Sequence, residues 1–269
     1  MIRLPDTHFM TYDMGERVTA FSTLRSGGVS KGNYASFNVN PYGGDSSLCV
    51  AENVRILCRA LHIGPDELVM PHQVHGNRLK VIDRAFFELS AESRAQYLEG
   101  VDGLLTDCPC CIGVSTADCV PLLFYDPSGK AAAVHAGWRG TVAGIAAEAV
   151  KLMREVYETE PDRLKVCIGP SISQRAFEVG DEVYELFSDS GFPMERVAVR
   201  IEKRWHIDLW ECNRIQLVAS GVEPERIDVC GECTYSQPER FFSARRLGIR
   251  SGRIFSGICL ARDGFFKQS

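Results

Sequence analysis

The sequence contains no apolar run that approaches the roughly 20 residues of a membrane-spanning helix. Residues 1–15 carry Asp6, His8 and Asp13 where the apolar core of an export signal would lie. Strongly biased or repetitive segments, which are typical of disordered chains, are also missing. We therefore expect a folded, soluble protein of the cytoplasm that does not associate with a membrane.

The sequence has fewer positive charges than a protein that binds nucleic acid usually has. The 30 Lys and Arg residues are outnumbered by 35 Asp and Glu residues, which gives a formal net charge of -5. The basic residues are also scattered and form no stripe along the chain. Because binding to a phosphate backbone depends on clustered basic side chains, we expect small molecules as partners and no nucleic acid.

Histidine is scarce, with six residues, whereas cysteine is abundant, with eleven. In a long chain without an export signal, these cysteines are expected to be reduced thiols. Cys230 and Cys233 form a CxxC motif, and Cys108, Cys110 and Cys111 form a separate cluster after Asp107. A second zinc site or a redox pair is an alternative, but a four-cysteine zinc site normally has two paired motifs. We favour ordinary thiols there.

The chain mixes strand and helix patterns, which indicates an α+β fold in one domain spanning residues 1–269. The predicted strands are Val18–Leu24, Leu68–Met70, Leu79–Ile82, Asp102–Thr106, Cys111–Thr116, Val120–Tyr125, Ala131–His135, Leu164–Ile168, Ile227–Cys230, Phe241–Arg245 and Arg253–Cys259. The predicted helices are one capped by Ser47 that reaches Leu61, then Thr141–Tyr157, Asp181–Phe187, and one that Asp208 caps and Gly221 closes.

A long loop, Arg25 to Ser47, is rich in glycine and asparagine. Loops of this length inside a compact domain are usually functional. Arg25 supplies a guanidinium, and Ser26 is followed by two glycines whose backbone N–H groups could bind an anion. We predict that this loop contributes to substrate binding.

Three segments place metal-binding residue types at the ends of apolar elements. They are HQVHG at His72–Gly76, TADC at Thr116–Cys119 and VHAGWRG at Val134–Gly140. Two imidazoles and one thiolate are a suitable set for zinc, and three protein ligands leave a fourth position open, as in catalytic zinc sites. On spacing alone, a buried cysteine with hydrogen-bonded histidines is the favoured alternative.

Longer strings carry a family resemblance that covers nearly the whole chain. These strings are QVHG, STADCVPLLFYD, VHAGWRGTVAGI, IGPSIS, DLWECNRIQL and FFSARR. Together they resemble the laccase-domain family, which is also called the polyphenol-oxidase-like or purine nucleoside phosphorylase family. The resemblance implies a four-layer α/β/β/α sandwich in which two mixed β-sheets pack face to face between helices.

The resemblance also implies the site. The zinc ligands of the family fall on His75, Cys119 and His135. The implied activities are phosphorolysis of adenosine, inosine and methylthioadenosine, together with adenosine deamination, so a nucleoside and phosphate are the expected partners. Arg25 and Asn38 resemble residues of the family's substrate loop.

Three further residues near these motifs are candidates for the site. Arg139, four residues after His135, could bind a phosphate with its guanidinium, or form a structural ion pair. Asp118 could orient a histidine ligand or carry protons, or simply close a turn. His72 lies an odd number of residues from His75, so in an extended segment the two side chains point to opposite faces. We predict that His72 faces the substrate and that His75 is the ligand.

Other functions use the same residues. Copper is a weaker alternative to zinc, because a copper-dependent polyphenol oxidase needs more histidines and HxH pairs, and the sequence has none of these pairs. Cys119 could instead be the nucleophile of a cysteine hydrolase or amidase, with His135 as its base. A non-enzymatic metal-binding protein is a third alternative, although the glycine-rich loop favours an open site.

Overall fold

The computed structural model describes Leu4 and residues 7–260. The strands are β1 (Phe9–Tyr12), β2 (Val18–Thr23), β3 (Leu68–Val69), β4 (Leu79–Ile82), β5 (Gly103–Thr106), β6 (Cys111–Thr116), β7 (Val120–Asp126), β8 (Lys130–Ala136), β9 (Lys165–Ile168), β10 (Glu178–Val179), β11 (Ala198–Ile201), β12 (Arg204–Ile207), β13 (Ile227–Val229) and β14 (Ile254–Leu260). The α-helices are α1 (Ser47–Leu61), α2 (Arg84–Glu88), α3 (Ala91–Tyr97), α4 (Trp138–Val142), α5 (Ile145–Tyr157), α6 (Asp181–Asp189), α7 (Met194–Val197), α8 (Leu209–Ala219) and α9 (Ala244–Leu247). Among the residues described, no helix is both long and apolar enough to span a bilayer.

The strands form two large sheets and one small sheet. The five-stranded sheet has the order β1-β2-β14-β6-β3, and the six-stranded sheet has the order β13-β9-β7-β8-β5-β4. The small sheet has the order β10-β12-β11. Strands β6 and β7 are buried along their whole length, as their continuous apolar runs predict.

Alternating side chains build the layers on either side of each large sheet. Leu123 of β7 and Ile112 of β6 belong to the core between the two sheets. Leu122 of β7 faces the other way and packs with helices α5 and α8. On the far side of the five-stranded sheet, Phe21 packs against Leu57 of α1. The layer order is therefore helix, sheet, sheet, helices, which agrees with the predicted four-layer α+β sandwich.

Three local predictions were wrong. The helix predicted over Thr141–Tyr157 is two helices, because Gly144 adopts a φ of 78° and interrupts the hydrogen-bond ladder. Phe241–Arg245 is not a strand, because Phe241 is buried in a loop and α9 begins at Ala244. Helix α1 is preceded by Ser46 at the cap, which makes no side-chain capping bond, so Ser47 is its first residue.

A glycine pair makes room for one ring in the five-stranded sheet. Gly113 lies directly opposite Gly257, and the ring of Phe255 covers both positions. A methyl group on Gly113 would overlap this ring. We expect Gly113→Ala to lower the free energy of unfolding by about 1–3 kcal/mol, as overpacking of a core does. Urea denaturation measures the change.

Phe255→Leu provides the control, because leucine is smaller than phenylalanine and has no ring. In a Phe255→Leu background, Gly113→Ala should cost less than it does in the wild-type protein. An equal cost in both backgrounds would show that the Phe255 ring is not the cause.

Candidate metal centre

The three predicted ligands meet at one edge of the six-stranded sheet. The pairing of β7 with β8 places Val120 opposite Ala136, so Cys119 lies beside the end of β8, where His135 is located. The loop that carries His75 enters β4 at the same edge. One ligand atom from each residue lies within 4.8 Å of the other two, and the rings of His75 and His135 are 4.7 Å apart. No other group of metal-binding residue types is this close within the described chain.

Exposure differs among the three ligands. His135 is buried, Cys119 is half-buried and His75 is exposed. His75 also has a φ of 62°, and Asp118, directly before Cys119, has a φ of 90°. Few residues other than glycine adopt this left-handed region, and they do so mostly where the surroundings hold them there. The site is therefore a constrained arrangement that opens toward solvent on the His75 side.

A buried carboxylate, Asp102, joins two of the ligand segments. Its Oδ1 accepts hydrogen bonds from Nδ1 of His135, at 2.9 Å, and from the backbone N–H of His75, at 2.8 Å. Its Oδ2 accepts from the backbone N–H of Gly76, at 2.8 Å. The side chain of Asp102 is fully buried. It thus fills the histidine-orienting role that the sequence had suggested for Asp118.

Neighbouring charges shift the pKa values of Cys119, His135 and Asp102 toward the charged forms. Burial opposes ionisation of the Cys119 thiol, but the imidazoles of His135 and His75 outweigh it and lower its pKa to about 6. Burial alone would lower the pKa of His135, whereas the Cys119 thiolate and Asp102 raise it to about 9. Burial likewise opposes ionisation of Asp102, but its bonds with His135 and the backbone lower its pKa. A thiolate is the form of cysteine that binds a metal.

Gly137 borders the space between the three ligands. A methyl group on Gly137 would lie 3.1 Å from Cδ2 of His75, 3.3 Å from Sγ of Cys119 and 3.5 Å from Cε1 of His135. Glycine therefore leaves free volume where the ligand side chains converge. Two imidazole nitrogens and one thiolate around this volume fit a tetrahedral, borderline-soft cation with one position open.

Asp118 ties two distant segments to the site. Its Oδ1 accepts a hydrogen bond from Oγ1 of Thr234, at 2.7 Å, and its Oδ2 accepts from the backbone N–H of Arg245, at 2.7 Å. Neither bond involves a histidine ligand. These contacts hold the left-handed backbone that precedes Cys119, and a role in proton transfer stays a prediction.

The predicted phosphate-binding arginines lie in different surroundings. The guanidinium of Arg25 donates from Nε to the carbonyl oxygen of Ala35, at 2.7 Å, and from Nη1 to that of Pro238, at 2.6 Å. Ser26 donates to the carbonyl oxygen of Thr7 at 3.0 Å. Arg139 is exposed in α4, with its guanidinium 4.1 Å from the centre of the Trp138 ring. Of the two guanidiniums, that of Arg139 is the more accessible.

Asn38 corrects the prediction that it binds substrate. Its side chain is fully buried, so it presents no surface to a ligand. The amide donates to Oδ2 of Asp45 at 3.0 Å, and its oxygen accepts from the backbone N–H of Arg253 at 3.1 Å. Asn38 therefore fastens the glycine-rich loop to the start of β14.

His72 lies beside the site and is not one of the clustered ligands. Its Nδ1 lies 2.8 Å from a carboxylate oxygen of Glu99, and its ring stacks on Tyr42 at a centroid distance of 4.2 Å. Tyr42 belongs to the glycine-rich loop and is 47% exposed. This stack connects the loop to the segment that carries His75, and contact of His72 with substrate stays a prediction.

Sequence reasoning missed Asp102, the space beside Gly137, and Tyr42. Asp102 opens the string DGLLT, where an aspartate before a strand is an ordinary turn residue. Only the pairing of Gly103 with Val134 brings Asp102 beside His135. No local sequence signal marks it.

Comparison with known proteins identifies the family of the chain. A family model described as "Multi-copper polyphenol oxidoreductase laccase" matches residues 19–261. The chain belongs to this laccase-domain family. A relative from Bacteroides thetaiotaomicron, named purine nucleoside phosphorylase, is 47% identical over 247 residues, which cover 90% of this chain and 92% of that protein.

Two more members of the laccase-domain family are informative. A protein named adenosine deaminase RL5, from an unknown prokaryotic organism, is 44% identical over 90% of this chain and 94% of that protein. The crystal structure of YlmD from Geobacillus stearothermophilus has a TM-score of 0.90 at 31% identity and covers 97% of this chain and 99% of that chain. The chain is thus an enzyme with the fold of this family.

The lowered pKa of Cys119 leads to a test by alkylation. In metal-free protein, the rate at which iodoacetamide modifies Cys119 should rise with pH to a half-maximum near about 6, because the thiolate is the reacting form. Cys230 is an internal control, since burial raises the pKa of this half-buried thiol to about 11. Peptide mass spectrometry measures both rates. A Cys119 half-maximum near pH 8.5, roughly the value of a free thiol, would contradict the assigned electrostatics.

Proposed function

We propose that the protein is a zinc-dependent purine nucleoside phosphorylase that acts on adenosine, inosine and methylthioadenosine and also deaminates adenosine. The observation that carries the proposal is the convergence of His75, Cys119 and His135 on the free volume beside Gly137. The names of the relatives supply the reaction, since both phosphorylase and deaminase occur among them. Zinc is preferred to copper because a copper-dependent polyphenol oxidase needs more histidines than the six present and HxH pairs, of which the sequence has none.

The chain's own residues prepare this site. Oδ1 of Asp102 accepts a hydrogen bond from Nδ1–H of His135, which leaves Nε2 of that ring as the atom that would bind the metal. With the ion bound, Cys119 would contribute a negative charge, and the two imidazoles, which bind a metal in their neutral form, would contribute none. When bound, a zinc ion acts as a Lewis acid and lowers the pKa of a coordinated water. One thiolate leaves the centre with a net positive charge, which favours anionic partners such as phosphate.

Phosphorolysis joins a phosphate oxygen to C1′ of the ribose while the bond from C1′ to the base breaks. The bonding electrons leave with the base, which takes up a proton, and ribose 1-phosphate is the second product. We assign phosphate binding to Arg139, because its guanidinium is exposed on α4, immediately beyond Gly137. Arg25 is a second candidate for phosphate binding from the loop, where two bonds to carbonyl oxygens fix its guanidinium.

Deamination replaces the 6-amino group of adenine with oxygen from water and releases ammonia. The reaction requires a group that takes a proton from water and returns one to the leaving nitrogen. We assign this role to Asp118, whose carboxylate is held next to Cys119 by Thr234 and the Arg245 backbone. We assign contact with the base to His72 and to Tyr42, whose ring stacks on that of His72.

A second candidate is a cysteine hydrolase, and one observation favours it. Cys119 hydrogen-bonds to His135, and Nδ1 of His135 donates to Oδ1 of Asp102. This row has the order of a nucleophile, a base and an orienting carboxylate. Metal binding would occupy the thiolate, so the two candidates require different metal states.

Product analysis distinguishes these candidates. Zinc-loaded protein is incubated with adenosine, with and without phosphate, and the products are separated by chromatography. We expect adenine and ribose 1-phosphate only when phosphate is present, and inosine or hypoxanthine from deamination. Unchanged adenosine would contradict the proposal. Amide or ester hydrolysis by metal-free protein, lost on addition of zinc, would establish the second candidate.

A further inference from the structure

Asp102 is hydrogen-bonded to the segments of both histidine ligands. Its carboxylate accepts hydrogen bonds from His135 Nδ1 and from the backbone N–H groups of His75 and Gly76, at 2.8 to 2.9 Å, with a longer bond of 3.4 Å from Val74. Its own backbone N–H donates to the carbonyl oxygen of Arg78, and its carbonyl oxygen accepts from the His135 N–H at 2.7 Å. Each polar group of this residue therefore faces one of the two histidine segments.

Three consecutive N–H groups, from Val74 to Gly76, point toward one carboxylate. Successive N–H groups around a left-handed residue form a concave site for an anion, and here His75 is that residue, with a φ of 62°. Without an anion, these N–H groups would repel one another and the left-handed backbone of His75 would be strained. The Asp102 carboxylate is the internal anion that makes this backbone favourable.

The same carboxylate fixes the orientation of the His135 ring. The proton on Nδ1 of His135 bonds to Oδ1 of Asp102, and this bond sets which ring nitrogen remains to bind a metal. His135 is buried, so no water replaces this partner. Two ligands that are 60 residues apart in sequence thus depend on one side chain that reaches neither the solvent nor the ligand space.

We propose that Asp102 is the positioning residue of the metal centre, where it holds the ring of His135 and the backbone of His75 in the geometry that binds the ion. This inference rests on the metal function proposed above. It predicts that Asp102 sets metal affinity through both histidines although it is not a ligand.

Asparagine is an informative replacement for Asp102 because it keeps the size of the side chain and loses half of the acceptors. The single oxygen of the new amide could serve either the His135 ring or the N–H groups of residues 74–76, and its NH₂ group would face a donor on the other side. At least one histidine would therefore lose its support. We expect Asp102→Asn to bind Zn²⁺ about 10- to 100-fold more weakly, the effect typical of losing a carboxylate that supports a metal-bound histidine.

Asp126→Asn is the matched control. Asp126 is also buried, and it accepts hydrogen bonds from the N–H and Oγ of Ser128 at the far end of β7. Zn²⁺ affinity is measured by competition with a chromophoric chelator, and the absorption spectrum of Co²⁺-loaded protein reports ligand geometry. We expect a weaker affinity and an altered Co²⁺ spectrum for Asp102→Asn, and wild-type values for Asp126→Asn. Wild-type affinity and spectrum in Asp102→Asn would overturn the proposal.

A measurement on the wild-type protein keeps the proposal testable if the variant does not fold. Nitrogen-15 NMR of the metal-loaded protein should show His135 protonated at Nδ1 with this proton retained against exchange. A His135 ring protonated at Nε2 would overturn the proposal. Because neither readout uses turnover, an inactive wild-type enzyme with intact metal binding would reject the proposed reaction and leave the role of Asp102 standing.

Discussion

Replacing Cys119 with alanine is expected to remove the metal ion and to abolish phosphorolysis and deamination together. The side chain is the only anionic member of the ligand group, and the two imidazoles alone give a neutral, two-coordinate site. A metal ion contributes several kcal/mol of transition-state stabilisation, at a factor of ten per 1.4 kcal/mol, so each rate should fall by about 1,000-fold or more. Metal content is measured by inductively coupled plasma mass spectrometry, and both rates by chromatography.

Matched variants separate this effect from general damage. Cys230→Ala removes another half-buried thiol, one that lies outside the ligand group, and should keep both metal and activity. His72→Ala should keep its metal, whereas His75→Ala and His135→Ala should lose it. Persistence of either reaction in a Cys119→Ala protein shown to be metal-free would contradict the shared-site account.

A single methyl group at Gly137 is expected to inactivate the enzyme without weakening the fold. The new methyl group would lie 3.1 to 3.5 Å from all three ligand side chains, in the volume that the ion and its open position require. The backbone at Gly137, with φ of -67° and ψ of 165°, accepts alanine without strain. Small misplacements at a catalytic centre can reduce rates by about 100-fold, and we expect at least this loss in kcat/KM.

The stability of Gly137→Ala is expected to change little. Alanine restricts the unfolded chain and adds about 0.4–1 kcal/mol, which offsets the close contacts of the methyl group with His75 and Cys119, so the melting temperature should stay near that of the wild-type protein. Gly64→Ala is the control, because Gly64 has nearly the same backbone conformation, with φ of -76° and ψ of 155°, and also precedes a helical turn. Full activity and metal content in Gly137→Ala would show that the site does not occupy this volume.

The sequence predicted the central strands because the buried strands β5 to β8 are continuous apolar runs between turn residues. The three ligands were predicted from the family strings, because their spacing alone favoured a buried cysteine with hydrogen-bonded histidines. The small three-stranded sheet was missed. Its strand β10 has only two residues, Glu178 and Val179, and no apolar period can be detected over so short a segment.

The supporting residues were harder to predict because they depend on register. Asp102 becomes a partner of His135 only through the pairing of β5 with β8, and Gly137 borders the ligands only because β7 begins beside it. Asn38 shows the opposite case, since it shares a string with the family and yet proves to be a buried fastening of the loop. A motif identifies residues that matter without saying whether they hold the structure or contact the substrate.

X-ray absorption spectroscopy of the metal-loaded protein identifies the atoms that bind the ion. If His75, Cys119 and His135 hold one zinc ion, the spectrum should show one sulfur at about 2.3 Å and two imidazole nitrogens at about 2.0–2.1 Å, with one further light atom. Loss of the sulfur signal in Cys119→Ala would complete the assignment. A coordination shell of several sulfurs, or one without sulfur, would contradict it, because the ion would then lie elsewhere among the cysteines or on other groups.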